Sequence, residues 1–260
     1  MTDVPAYVWV LTLAGTGGLV GSISLTLYRG AELSGLDRRG AVGLGVSSAV
    51  LLGGWFAISG VMAANGWYLN KPGQVPRLPV TFAAVLVALL AASRIPVVAR
   101  ALAAPGMLSR LELPHMFRVV GVVFLIMMAL GHLPPLFAVP AGLGDIATGI
   151  AAPFVARRIA KGTGRRTVTR FNLLGMADLV MALSLAILIG NQVLDVTPST
   201  RAITELPLAL IPTAAVPLLF TLHITSLRHM ARGPFPRSRG GYRLDGRGAP
   251  AEFTRLARDH

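Results

Sequence analysis

Residues 171–190 read FNLLGMADLVMALSLAILIG. The run carries a single charged side chain, Asp178, and is preceded by Arg165, Arg166 and Arg170. About 20 predominantly apolar residues are enough for a helix to cross the hydrocarbon core of a bilayer. The stretch therefore predicts a transmembrane helix with one acid near its middle and a basic anchor at its start.

Six more segments of the same kind surround it, at roughly 6–28, 41–63, 79–99, 116–133, 136–156 and 206–227. The expected fold class is all-α, a polytopic membrane helix bundle of seven transmembrane helices. Only Leu133-Pro134-Pro135 separates the fourth segment from the fifth, so a tight turn is expected there. A six-helix reading with a re-entrant segment at that point stays open. Composition points the same way: 53% of residues are hydrophobic and 13% charged, and a water-soluble chain of this length could not bury that much apolar surface. The absence of cysteine excludes disulfides, thiolate metal sites and cysteine nucleophiles.

Charge placement gives the orientation. Cytoplasmic loops collect Lys and Arg. With the N-terminus outside, 21 of the 24 basic residues fall on the cytoplasmic side, and only Lys71, Arg77 and Arg201 fall outside. The net charge of +13 thus reads as a membrane-surface feature, with no nucleic-acid partner implied. Tyr7, Trp9, Trp67 and Tyr68 are expected at the outer interface, where amphipathic rings settle. No Lys or Arg precedes Arg29, so the first segment reads as a retained helix rather than a secretory signal. The expected organisation is a transmembrane domain over 1–230. Residues 231–260 read as a basic, largely disordered cytoplasmic tail drawn to anionic lipid. Residues 103–115 read as a short amphipathic segment on the cytoplasmic surface. The expected location is the bacterial inner membrane.

Small residues recur at four-residue spacing, in Gly17/Gly21, Gly43/Ser47 and Gly53/Ala57. Such pairs let helix backbones approach closely. Packing within the chain is the first expectation; a seam with a second copy or another membrane subunit is the alternative.

Ionisable groups at membrane depth are costly and mark candidate sites. Asp145 and Asp178 sit in matching contexts, Gly142-Leu-Gly-Asp145-Ile and Gly175-Met-Ala-Asp178-Leu. Their two helices should pack as an antiparallel hairpin and bring the acids together. Arg94, expected within the third span, and Arg118, Asn172 and His223 supply polar groups in the cytoplasmic third. Together these six residues predict a substrate- or ion-binding site that opens toward the cytoplasm. Proline in the fifth and seventh segments frees backbone carbonyls that a water-filled cavity can satisfy. No histidine motif for a metal is present, and no cofactor is expected. Axial haem ligation by His115 and His223 is the alternative.

The stretches Arg118-Val-Val-Gly-Val-Val-Phe-Leu, Leu133-Pro-Pro-Leu-Phe-Ala-Val-Pro-Ala-Gly-Leu-Gly-Asp145 and Asn172-Leu-Leu-Gly-Met-Ala-Asp178-Leu resemble a group of uncharacterised bacterial membrane proteins, as does the ending His223-x-x-Ser-Leu-Arg228. The resemblance covers residues 115–230 and implies no known activity. The functional expectation is a small-molecule or ion carrier, with coupling to protons as a refinement. An accessory subunit of a membrane complex and an intramembrane haem or metal enzyme are the alternatives.

Overall fold

The computed structural model describes residues 4–70 and 74–232. The expected basic tail lies outside the described residues except for its first two positions, and so does Lys71. No strand occurs among the described residues.

Five helical stretches are long and apolar enough to cross a membrane. They are α1 (Ala6–Leu33), α2 (Arg38–Ala64), the stretch Met107–Ala129, α7 (Pro135–Ala160) and α8 (Arg165–Gly190). Apolar side chains on α2 such as Val50, Leu51, Ile58 and Val61 face outward, each more than half exposed. That apolar belt would be untenable in water and marks a helical membrane protein. Local chemistry sets the ends: Asp37 caps α2 by accepting from the Gly40 amide at 3.1 Å, and Pro135 opens α7 at a position where no amide donor is needed.

The segment expected as the third span is not one straight helix. It divides into α3 (Arg77–Ala92) and α4 (Pro96–Ala103), bent by 80°. Proline disfavours helical geometry in the residue before it, and Ile95 is extended at ψ 130°. Arg94 therefore sits exposed on the bend instead of buried within a span, which corrects the sequence expectation.

The fourth span starts earlier than expected. It comprises α5 (Met107–Glu112), a 3-10 segment (Leu113–Gly121) and α6 (Val122–Ala129). Met107, Leu108, Leu111, Glu112 and His115 are buried, so this part of the chain is core and not a surface segment. Pro114 has no amide hydrogen to give an α-helix and sits where the 3-10 winding begins.

The last apolar segment begins irregularly. Turns lead into a π-helical stretch, Ile211–Ala215, and then α9 (Val216–Arg232). The widened π turn lets Thr213 present its carbonyl to Trp55 Nε1 at 3.1 Å and its hydroxyl to Ser59 at 2.6 Å, which docks α2. Tyr68 is buried with its hydroxyl 3.1 Å from Ser59.

The glycine pattern also resolves. A Cβ added at Gly17, Gly21, Gly43 or Gly53 would meet nothing within 4 Å, so these four face outward. Close packing falls to Gly15 against Val120, Gly18 against Phe117 and Gly30 against the Ala101 carbonyl. The expectation of packing within the chain thus holds for neighbouring glycines and not for the quoted ones.

Candidate functional site

The site begins with the winding of one segment. In a 3-10 helix, with about three residues per turn, side chains three apart eclipse. Glu112, which precedes the 3-10 segment, and His115, Arg118 and Gly121 within it follow each other at that spacing and form one ridge. In an α-helix the same four would spiral about halfway round the axis. The ridge faces α7, α8 and α9.

Arg118 is the hub, and its side chain is wholly buried. Nε donates to Asp145 Oδ1 at 2.7 Å, Nη2 donates to Asp178 Oδ2, and Nη1 donates to the Gly175 carbonyl at 3.2 Å. The two acids of α7 and α8 therefore share one guanidinium. Glycines make the room. A Cβ on Gly121 would overlap the Asp145 side chain, one on Gly144 would overlap the Asp178 carboxylate, and one on Gly175 would lie 2.6 Å from the His223 ring. In both Gly-x-x-Asp repeats the glycine lies one turn before the acid and lets a neighbour come close.

A second branch runs from Arg118 toward the other end of the ridge. Asn172 Nδ2 donates to Glu112 Oε1 at 2.8 Å and to the Val168 carbonyl at 3.0 Å. Two acceptors on the nitrogen fix the amide, so Asn172 Oδ1 accepts from His223 Nδ1 at 2.8 Å. His223 Nε2 then carries the lone pair and lies 3.4 Å from Arg118 Nη1. His115 stacks on His223 with ring centres 3.9 Å apart and planes 23° apart.

Of the six expected residues, Arg118, Asp145, Asp178, Asn172 and His223 meet in one buried network. Arg94 does not, because it sits exposed at the α3–α4 bend. Glu112 belongs to the network and was missing from the expected set. The three-residue spacing from Glu112 to Gly121 was the signal that could have found it.

Asp145 and the part-exposed Asp178 face the one guanidinium, while Glu112 is buried with no ion pair among the described residues. Breaking such a pair leaves an uncompensated charge at a cost of about 3–5 kcal/mol. A cavity of about 30 Å³ lies beside Arg118 and Asp145, walled by Thr16, Leu19, Gly121 and Ala215, and this is room for one or two small particles such as water. A far larger cavity, about 580 Å³, sits elsewhere, lined by Asn70, Gln74, Asn191, Gln192, Thr200 and Arg201.

A family model described as a domain of unknown function, DUF8737, matches residues 75–231. The chain belongs to the DUF8737 family. No curated protein and no solved structure matches it. The DUF8737 segment contains every residue of the network, from Glu112 to His223. It leaves out α1 and α2, which pack on each other and against the π-helical stretch. DUF8737 membership agrees with the resemblance to an uncharacterised group and assigns no chemistry.

Proposed function

We propose that this chain is a membrane-embedded carrier for a proton or small cation, with Arg118, Asp145 and Asp178 as the site. The observation that carries the reading is two carboxylates from a helix hairpin held on one guanidinium beside a small cavity. The guanidinium balances one acid, so the other seeks a proton or cation. Binding one changes the charge that α7 and α8 hold between them, which can bias their packing.

The proposed topology is seven crossings in a bacterial inner membrane, with the N-terminus outside and the C-terminus in the cytoplasm. The five straight spans, the bent α3–α4 pair and the segment ending in α9 make up that number. The contact of Asn70 with Gly190 supports it, because Asn70 Nδ2 donates to the Gly190 carbonyl at 2.8 Å and both residues fall at the outer side in this topology. The basic residues then lie against anionic lipid on the cytoplasmic face.

The test is flux in proteoliposomes. With a pH-sensitive dye inside and an imposed membrane potential, the native chain moves protons or exchanges them for an added cation. Asp145→Asn and Asp178→Asn each abolish the signal while keeping the fold. Normal flux in both variants refutes the reading. The outward face of Gly17, Gly21, Gly43 and Gly53 favours one other role, an accessory subunit that seats a partner helix there. Gentle detergent extraction and native mass spectrometry separate the two, since a lone homogeneous chain counts against the subunit role.

A further inference from the structure

The carrier reading uses one half of the network. The other half contains polar atoms with no evident purpose. Both ring nitrogens of His115 are buried with no hydrogen-bond partner among the described residues. The second carboxylate oxygen of Glu112 is in the same position. The Ser226 hydroxyl lies close to the Glu112 carboxylate, at the edge of hydrogen-bonding geometry. Buried polar atoms left unsatisfied cost free energy, and a group of them in one place is uncommon in a native core.

These orphans converge. One carboxylate oxygen of Glu112 and one ring nitrogen each from His115 and His223 all lie within 4.8 Å of one another. From this geometry we propose a binding site for a divalent d-block cation of the zinc type, held by Glu112, His115 and His223. Two imidazoles and one carboxylate are the donor set such ions favour, and hard ions such as magnesium prefer oxygen alone. Zinc-to-nitrogen bonds of about 2.0–2.1 Å set tetrahedral ligands roughly 3.3 Å apart, so the two imidazoles turn out of their stack to aim both lone pairs at the ion.

The surroundings fit. His223 Nδ1 already donates to Asn172 Oδ1, which leaves Nε2 as the ligand atom. A histidine oriented through its other nitrogen by an oxygen acceptor is the usual second layer of a metal site. Asn172 also donates to Glu112 Oε1, so it positions two of the three side chains at once. The weak 3.4 Å contact from Arg118 to Nε2 is the one that gives way; Arg118 keeps Asp145, Asp178 and the Gly175 carbonyl. Charge agrees as well: Glu112 is buried with no ion pair among the described residues, so a cation held here meets its carboxylate. Ser226 or water completes the coordination. The site stands whether or not the chain is a carrier.

The experiment uses the full chain in detergent, stripped with a chelator, titrated with Zn²⁺ alone and assayed by elemental analysis. The native chain retains one zinc per chain. His115→Phe preserves the ring stack on His223 and removes a ligand; Glu112→Gln preserves the bond from Asn172. Each weakens zinc binding by about 100-fold, as the loss of metal-site support does elsewhere. Replacing the part-exposed His132 and His229 by alanine changes nothing. Failure of the native chain to retain zinc overturns the proposal, and so does native-like binding by His115→Phe. If Glu112→Gln does not fold, His115→Phe decides alone, with its fold checked by unfolding in the absence of metal.

Discussion

Arg118 concentrates the stability of the site in one side chain. It makes two ion pairs and one backbone bond at zero exposure. Replacing it with Gln strands Asp145 and Asp178 together, and the expected loss is about 3–5 kcal/mol in unfolding experiments. Adding Asp145→Asn and Asp178→Asn to that variant removes the stranded charges. The triple variant should therefore be more stable than Arg118→Gln alone, and a further loss on adding them would sink the charge argument. At this scale the sequence was largely readable. Polar and charged groups within apolar runs stand out, and Asp145, Asp178, Arg118, Asn172 and His223 were all visible for that reason. Arg94 looked equivalent on composition, but Pro96 turned the chain before the arginine reached the interior.

Among the elements, the 3-10 segment was the least readable. Apolar periodicity assumes the α repeat, and under that assumption Glu112 and Arg118 belong on different faces. The 3-10 repeat sets them in one line like teeth on a rack. Long apolar runs such as α1, α2, α7 and α8 needed only hydropathy, which explains why they were legible. Backbone approach sets the tolerance of each element to added bulk. Gly121→Ala pushes a methyl into the Asp145 side chain and should cost about 1–3 kcal/mol. Gly17→Ala meets open space and should be neutral or stabilise α1 by up to about 1 kcal/mol. Equal effects of the two substitutions on thermal unfolding would contradict the packing described for these helices.

For the whole molecule, the proposed orientation in the lipid rests on the uneven spread of Lys and Arg. A reporter that is active only outside the cytoplasm should be silent when fused after Lys161 and active when fused after Asp195. The reverse pattern would invert the topology. The family boundary at residue 75 falls between α2 and α3, so the network lies wholly within the matched segment. The partition around it does not. The small chamber beside Asp145 is closed on one flank by Gly15, Thr16 and Leu19, all from α1. Two glycine notches, Gly15 on Val120 and Gly18 on Phe117, hold that flank shut. Sideways leakage into the charged interior is thus governed by uncharged methyl and ring contacts, and widening either notch would admit solvent without altering a single ionisable group.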